Sequence, residues 1–194
     1  MKRLIFFIAA LFVLQNACAQ NETVSGLISG VQVGWLGGYY YYETRLAPQL
    51  TIRVEPGLDF AFAYYNTFGS TQDIGLFLFP EIALEPRLYY NIAKRYREGK
   101  RTDANTANFI SFKTRFHPGW VLSNVRDAYG IPDVAIMPTW GFRRTKFERF
   151  DYELGIGAGY RVFFDNMPDN LIVGNGSNFV INIHFRIGIM MGKY

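Results

Sequence analysis

The chain is poor in cysteine and in histidine. Cys18 is the one cysteine among 194 residues, and the two histidines, His117 and His184, lie far apart in the sequence. A disulfide framework and a thiolate metal site are therefore excluded. We find no metal-ligand cluster, nucleotide-binding loop or nucleic-acid signature. The sequence thus predicts no metal, no cofactor and no nucleic-acid partner.

Long apolar runs are also missing, apart from one at the N-terminus. Residues 1–19 begin with Lys2 and Arg3, continue with an apolar stretch over residues 4–14, and end in Ala-Cys-Ala. This pattern predicts a cleaved secretory signal peptide and a mature domain of residues 20–194. The apolar stretch is too short for a transmembrane helix. Lipidation of Cys18 is the weaker alternative, because the usual lipobox leucine is replaced by Gln15.

An excess of charge of one sign is absent from the mature domain. Without Lys2 and Arg3 the basic count falls from 20 to 18, against 16 acidic residues. The basic isoelectric point therefore gives no argument for a nucleic-acid partner. Aromatic residues are abundant, at 18% of the chain, and many glycines lie inside strand-like patterns. The mature length fits a single domain.

The dominant pattern is an alternation of apolar and polar side chains. In residues 178–194 every second side chain from Phe179 to Met191 is apolar, and the opposite face carries His184 and Arg186. Because successive side chains of a strand point to opposite faces, this pattern predicts a β-strand with one apolar face. The same pattern predicts seven strands in all: residues 26 to about 42, 50–64, 74–90, 108–117, 133–144, 150–162 and 178–194.

A closed single-chain bacterial barrel should have an even number of strands. The missing strand has two candidate positions, the tyrosine run 39–42 after a turn at Gly37 and Gly38, and residues 120–125. The tyrosine run itself has two interpretations. We favour an interfacial aromatic girdle, and the alternative is β-propensity with ordinary packing.

The charges of the predicted strands share the face opposite the apolar one. Apolar side chains outside and polar ones inside are the transmembrane arrangement. The sequence therefore predicts an all-β fold, an antiparallel up-and-down transmembrane β-barrel of about eight strands. Side chains can fill an interior of that size, and charges enclosed there should pair with one another. The predicted charge network of the lumen comprises Arg53, Glu55, Asp59, Glu81, Glu85, Arg87, Lys113, Arg115, Arg143, Glu153, Arg161, His184 and Arg186.

Residues 92–108 are predicted to form a basic loop. Glu98 is the one acid within its cluster of basic residues. One interpretation is contact with anionic lipid headgroups or lipopolysaccharide phosphates, and the other is a solvated loop. The basic residues are Lys94, Arg95, Arg97, Lys100 and Arg101.

With these features the chain resembles the small outer-membrane β-barrel proteins of Gram-negative bacteria. The signal peptide, the alternating strands, the aromatic content and a last strand ending in Tyr194 carry the resemblance over nearly the whole mature chain. It implies a location in the outer membrane and contact with outer-membrane lipid. It also implies recognition by the barrel-assembly machinery through Tyr194 and the preceding Phe185, Ile187, Ile189 and Met191.

Three functions remain open, because this fold hosts pores, adhesins, anchors and enzymes. We favour a non-enzymatic envelope protein that acts through its loops, in a structural, adhesive or partner-binding role. The second is an outer-membrane lipid-modifying enzyme. The resemblance implies a His–Ser pair for lipid A deacylases, but no serine follows His184 within two positions and His117 precedes Pro118, so no catalytic residue is predicted. The third is a soluble periplasmic lipid-binding barrel. The loop-binding partner is unknown.

Overall fold

The computed structural model describes residues 23–65, 73–125, 128, 130–164 and 178–193. The strands form one antiparallel sheet, and the segment between β4 and β5 contains the helix α1 (Ile92–Arg97) and a 3-10 turn (Asp103–Asn105). The strands are β1 (Leu27–Gly34), β2 (Gly37–Ala47), β3 (Leu50–Tyr65), β4 (Asp73–Leu88), β5 (Asn108–His117), β6 (Leu122–Ser123), β7 (Asp133–Lys146), β8 (Phe150–Phe163) and β9 (Phe179–Lys193).

The sheet closes on itself as an eight-strand barrel. With the exception of the short β6, strands that follow one another in the chain are paired, and β1 pairs with β9, where Val31 lies opposite Ile189. The short strand β6 pairs with β4 beyond the end of β5 and so shares the position of β5 in the sheet. The predicted antiparallel up-and-down barrel of about eight strands is confirmed. No helix among the described residues is long and apolar enough to cross a membrane.

The eighth strand is β2, which contains the tyrosine run. The chain turns at Trp35 and Leu36, so Gly37 already belongs to β2 and pairs with Gly34. The turn therefore comes two residues before the predicted one. The other candidate position, residues 120–125, supplies only the two-residue β6.

Two further predictions are corrected. Residues 92–108 were predicted to be a loop throughout, but they contain α1, whose Ile92 is buried. The strand predicted at 133–144, with a charged turn after it, extends further, because Thr145 and Lys146 pair with β8 and the turn follows at 147–149. A run of charged residues resembles a turn in the sequence, but charge alone does not show where strand pairing ends, and Thr145 still pairs with Asp151 of β8.

Several predictions lie outside the described residues. They concern the signal peptide 1–19, the C-terminal Tyr194, and two loops that the composition predicts at residues 66–73 and 165–177, of which only Asp73, the first residue of β4, is described. The connections of the barrel fall at two opposite ends, which we call end A and end B. End A carries residues 48–49, 89–107 and 147–149. At end B lie the turn 35–36, the last residues of β3, β5 and β8 and the first residues of β4, β7 and β9.

The segment between β4 and β5 folds against end A of the barrel. Ile92 is buried in a cluster with Tyr89 and Phe109, and Ala104 is buried in a second cluster with Tyr41. Burial of these apolar side chains from the connecting segment against strand side chains stabilises the segment in this position. The segment therefore covers end A with a layer of packed side chains.

Side chains of the barrel strands alternate between an exposed apolar face and a buried polar face. On β9 the apolar row from Phe179 to Met191 is 44–69% exposed at each position, whereas His184 and Arg186 between them are about 5% exposed. Exposed large apolar side chains occur on all eight barrel strands. The barrel thus has its polar residues inside and its apolar residues outside.

Replacement of Gly159 by Ala tests the close packing of β8 against β7. The added Cβ would collide with the backbone carbonyl of Ile136, which cannot move without disturbing the ladder. We expect a loss of about 1–3 kcal/mol in the free energy of unfolding, measured by guanidinium unfolding of the purified protein. The control is Gly38→Ala, whose Cβ would meet nothing within 4 Å. Equal stabilities of the two variants would contradict the packing described here.

Candidate functional site

The interior of the barrel holds two groups of charged residues. The first, the interior network, occupies the middle and end A, and all of its members are buried. The second, the end B cluster, is described below. All thirteen predicted network residues lie in one of these two groups. The interior network contains Arg53, Glu55, Glu85, Arg87, Lys113, Arg143, Glu153, His184 and Arg186, together with Glu43 and Asp151, which were not in the predicted set.

Glu55 of β3 joins three strands through its carboxylate. Its Oε1 atom accepts hydrogen bonds from Arg186 of β9 at 2.6 Å and from Lys113 of β5 at 2.8 Å. Its Oε2 atom accepts from Arg53 of its own strand. One negative charge thus faces three positive ones, and the neighbouring carboxylates complete the balance.

Glu153 of β8 is the second carboxylate that joins strands. Arg87 of β4 binds it through two hydrogen bonds of 2.8 Å, one to each carboxylate oxygen. Arg53 adds a contact of 3.1 Å, and His184 Nε2 lies 3.3 Å from Oε1. The two-point Arg–carboxylate geometry is the strongest form of this interaction, and it links opposite sides of the barrel.

Tyrosine rings complete the interior network. Tyr41 is buried between the guanidinium groups of Arg53 and Arg143, which lie 4.4 and 4.6 Å from its ring centroid. Arg186 lies 3.8 Å from the centroid of Tyr39. Tyr40 points outward and is exposed. The girdle interpretation is therefore wrong for Tyr39 and Tyr41, because alternate side chains of β2 face the interior.

Glu43 is a residue of this network that the sequence analysis missed. It accepts hydrogen bonds from Thr51 at 2.8 Å, Tyr89 at 2.9 Å and Asn105 at 2.7 Å, and Arg143 lies 3.3 Å away. The signal was present in the sequence, because Glu43 follows Tyr39 and Tyr41 at steps of two residues and so lies on the same face of the strand. It was missed because the boundary of β2 was placed wrongly.

The charged groups of the interior network are paired with one another. The guanidinium, ammonium and carboxylate groups of Arg53, Lys113 and Glu55 each have charged partners. His184 contacts Glu153 and, at 3.4 Å, Asn182. Among the described residues neither histidine has a hydrogen bond to a serine, so the contacts assemble no nucleophile–base pair of the kind expected for serine catalysis.

The end B cluster brings together residues from five strands. Asp59 of β3, Glu81 of β4, His117 of β5 and Asp133 of β7 converge at the end B side of the barrel. Arg115 lies beside the first two carboxylates. Arg161 of β8 lies 3.6 Å from Asp133 Oδ1.

His117 is the centre of the end B cluster. Its Nδ1 atom lies 3.0 Å from Asp133 Oδ2, a hydrogen-bond distance. Its Nε2 atom lies 3.7 Å from Asp59 Oδ2 and 3.6 Å from Glu81 Oε2, and both distances are too long for hydrogen bonds. The Nδ1 atom is thus held by Asp133, and the Nε2 atom points towards the two carboxylates without bonding to either.

Asp59, Glu81 and His117 form a set of potential metal ligands within 4.8 Å of one another. The sequence analysis predicted no metal site, since the three residues stand on separate strands with no recognisable spacing. The register of the adjacent strands β3, β4 and β5 brings them together, because Gly57 pairs with Glu81 and Ala83 pairs with Arg115. No local motif in the sequence could have revealed this group.

The predicted headgroup-binding residues lie at end A, in and after α1. Lys94 and Lys100 are exposed and approach Glu98, and Lys100 donates to it at 2.7 Å. This hydrogen bond lowers the pKa of Glu98 below its ordinary value. Arg95 donates to the carbonyls of Thr106 and Arg101.

The remaining basic residues of that segment also have local contacts. Arg101 lies 3.6 Å from Asp103, and Arg97 has an interaction of its own. Much of the basic character is thus balanced within the segment. Exposed pairs of this kind contribute little to stability because solvent screens them.

Comparisons of the chain with models of protein families, with curated proteins and with solved structures gave no match.

Replacement of Glu55 by Gln tests the interior network. The amide keeps the shape of the side chain but leaves Arg53, Lys113 and Arg186 without their shared negative charge. Breaking a buried charge pair costs about 3–5 kcal/mol, and we expect a loss of that size in the free energy of unfolding, measured with guanidinium. The exposed Glu98→Gln should leave the free energy of unfolding nearly unchanged. A Glu55 variant as stable as this control would show that the network is dispensable.

Proposed function

We propose that the chain is a small integral outer-membrane β-barrel protein with a charge-filled interior. In this role it is a non-enzymatic envelope protein that acts through the connections at its ends. The observation that carries the proposal is the exposed apolar surface on all eight barrel strands. A soluble monomer rarely exposes a continuous apolar patch larger than a few hundred Å². A lipid hydrocarbon layer is the environment in which such a surface is stable.

The arrangement of aromatic residues supports the same proposal. Trp35, Trp120 and Phe164 are exposed at end B. Towards end A, Trp140 is exposed and its indole donates to the hydroxyl of Tyr90 at 3.0 Å. Aromatic side chains above and below an aliphatic band are typical of transmembrane barrels, because their polar atoms reach the interfaces. Tyr40 and Tyr42 also face outward and belong to this exposed aromatic set, whereas Tyr39 and Tyr41 are buried.

The two alternative functions receive less support. A soluble lipid-binding barrel needs an apolar interior, whereas Arg53, Arg87 and Arg143 are completely buried inside this one. A lipid-modifying enzyme needs a reactive group that can reach lipid. His184 is enclosed beside Glu153, and His117 faces carboxylates. Both arrangements favour a non-enzymatic role.

The lengths of the connections suggest the orientation. At end B the stretches of sequence between β3 and β4, between β5 and β7 and between β8 and β9 are long, whereas two of the three connections at end A are tight turns. Transmembrane barrels have short periplasmic turns and longer extracellular loops. End B would therefore face outward. The basic segment at end A would then lie on the periplasmic side and meet anionic phospholipid headgroups rather than lipopolysaccharide.

Partners follow from the same arrangement. The exposed row of β9 would contact outer-membrane lipid and would also be the surface that the barrel-assembly machinery reads. Residues Phe185, Ile187 and Ile189 of that row are exposed. A loop-binding partner would meet end B. The export signal in residues 1–19 supplies the route to the membrane.

Gel mobility tests the proposal directly. Detergent extracts of membranes should contain a compact, faster band without boiling and a slower band after boiling, because a closed barrel resists detergent. Phe185→Arg should strongly reduce the heat-modifiable band in the membrane fraction, since a charge on the lipid face costs about 2–4 kcal/mol at the bilayer midplane.

The matched control is Phe185→Leu, which keeps an apolar side chain at the same position and should assemble as the unmodified protein does. Recovery of the unmodified protein in soluble form, without detergent, would contradict the membrane proposal. Equal membrane levels of the two Phe185 variants would contradict the assignment of the lipid face.

Single cysteines test the orientation, because the mature domain has none of its own. Trp120 at end B and Phe147 at end A are both strongly exposed. A membrane-impermeant maleimide should label Trp120→Cys in intact cells. It should label Phe147→Cys only after the outer membrane is permeabilised. The reverse pattern would invert the orientation.

A further inference from the structure

We propose that Asp59, Glu81 and His117 at end B bind a divalent metal ion of the zinc type. Three strands present three ligand atoms, Asp59 Oδ2, Glu81 Oε2 and His117 Nε2. Nitrogen–oxygen distances of 3.6 and 3.7 Å separate the imidazole from the two carboxylates. Ligand atoms about 2.0–2.2 Å from a tetrahedral zinc ion lie about 3.3–3.6 Å apart. The spacing is close to that of a metal-bound set.

The hydrogen-bond state of these atoms points to a missing ligand. Glu81 is about 95% buried, yet neither of its oxygens has a hydrogen-bond partner, and His117 Nε2 has none either. Buried polar atoms are normally satisfied. A cation placed between them would satisfy the Nε2 atom and one carboxylate oxygen at once.

The surroundings hold two of the ligands in place for this role. Asp133 Oδ2 lies 3.0 Å from His117 Nδ1, so a proton on Nδ1 leaves the lone pair of Nε2 directed at the gap. The hydroxyl of Tyr39 donates to Asp59 Oδ1 and leaves Oδ2 for the cation. Carboxylate partners of this kind orient histidine ligands in metal sites and increase their basicity.

Two arginines, Arg115 and Arg161, lie beside the proposed metal ligands or their partner Asp133. Arg115 approaches Asp59 Oδ2 at 3.5 Å and Glu81 Oε2 at 3.6 Å, beyond hydrogen-bond range in both cases. It therefore does not occupy the ligand lone pairs. With a neutral His117, three carboxylates stand against Arg115 and Arg161, so the cluster keeps one net negative charge. The alternative is a protonated His117 that neutralises it.

The ligand set indicates the class of metal. One imidazole nitrogen and two carboxylate oxygens suit zinc and similar divalent transition ions better than calcium, which prefers six to eight oxygens. Three protein ligands leave a coordination position for water or another small ligand. The proposed metal site depends only on the geometry of the barrel and not on whether the barrel lies in a membrane.

Isothermal titration calorimetry tests the site. The mature protein, residues 20–194, is purified in detergent and freed of metal with a chelator. We expect one equivalent of Zn²⁺ to bind and to raise the thermal unfolding temperature. Co²⁺ should occupy the same site and give a visible spectrum with a nitrogen ligand. His117→Ala should abolish this binding, and Glu81→Gln should weaken it at least about tenfold.

Asp133→Asn distinguishes a metal site from a group of ion pairs. It leaves all three ligands in place but weakens the acceptor for Nδ1, and it should lower the zinc affinity about 10–100-fold. Glu98→Gln, a carboxylate change at the opposite end, is the control and should bind zinc as the unmodified protein does. Gel mobility without boiling verifies that each variant is folded.

Two results would overturn the proposal. One is the absence of stoichiometric Zn²⁺ or Co²⁺ binding by the unmodified protein, which would leave the cluster as ion pairs around a protonated His117. The other is unchanged affinity in folded His117→Ala or Glu81→Gln, which would place the bound metal elsewhere. Should His117→Ala fail to fold, the isosteric Glu81→Gln carries the comparison.

Discussion

The structure depends on the mutual pairing of charges that a closed barrel has removed from water. Arg53, Arg87 and Arg143 have no exposed surface, and an isolated charge in such a position would be very costly. Each is paired with at least one carboxylate of another strand, and Glu55 and Glu153 each pair with several cations. Because these contacts cross the interior, they join opposite walls of the barrel.

The two ends of the interior are filled differently. Towards end A the guanidinium groups stack on Tyr41 and Phe109 at 4.3–4.6 Å, and the segment between β4 and β5 packs against that end. Towards end B the charged groups of Asp59, Glu81 and Arg115 approach one another only at longer distances. The charged groups are thus closely paired in the interior network and more widely spaced in the end B cluster, where the proposed metal site lies.

Much of this could be read from alternation alone, but some elements could not. The facing of β3, β8 and β9 follows from their period of two. The start of β2 could not be read, because Gly34, Gly37 and Gly38 all permit a turn and only the pairing of Gly34 with Gly37 selects Trp35 and Leu36. Residues 144–146 look like a charged turn, yet strand pairing with β8 extends through them. The helix α1 is too short to have a clear periodic signal.

The sequence by itself determined which side chains share a face, and hence that the charges lie together and apart from the apolar rows. The reason is that alternation along a strand is a local geometric property. The tertiary structure alone decided which charges meet. The stagger between strands sets the height of each residue in the barrel, so Glu43 meets Arg143, and Asp59, Glu81 and His117 converge. That stagger arises from pairing along the whole sheet and its closure between β1 and β9, which no single stretch of sequence specifies.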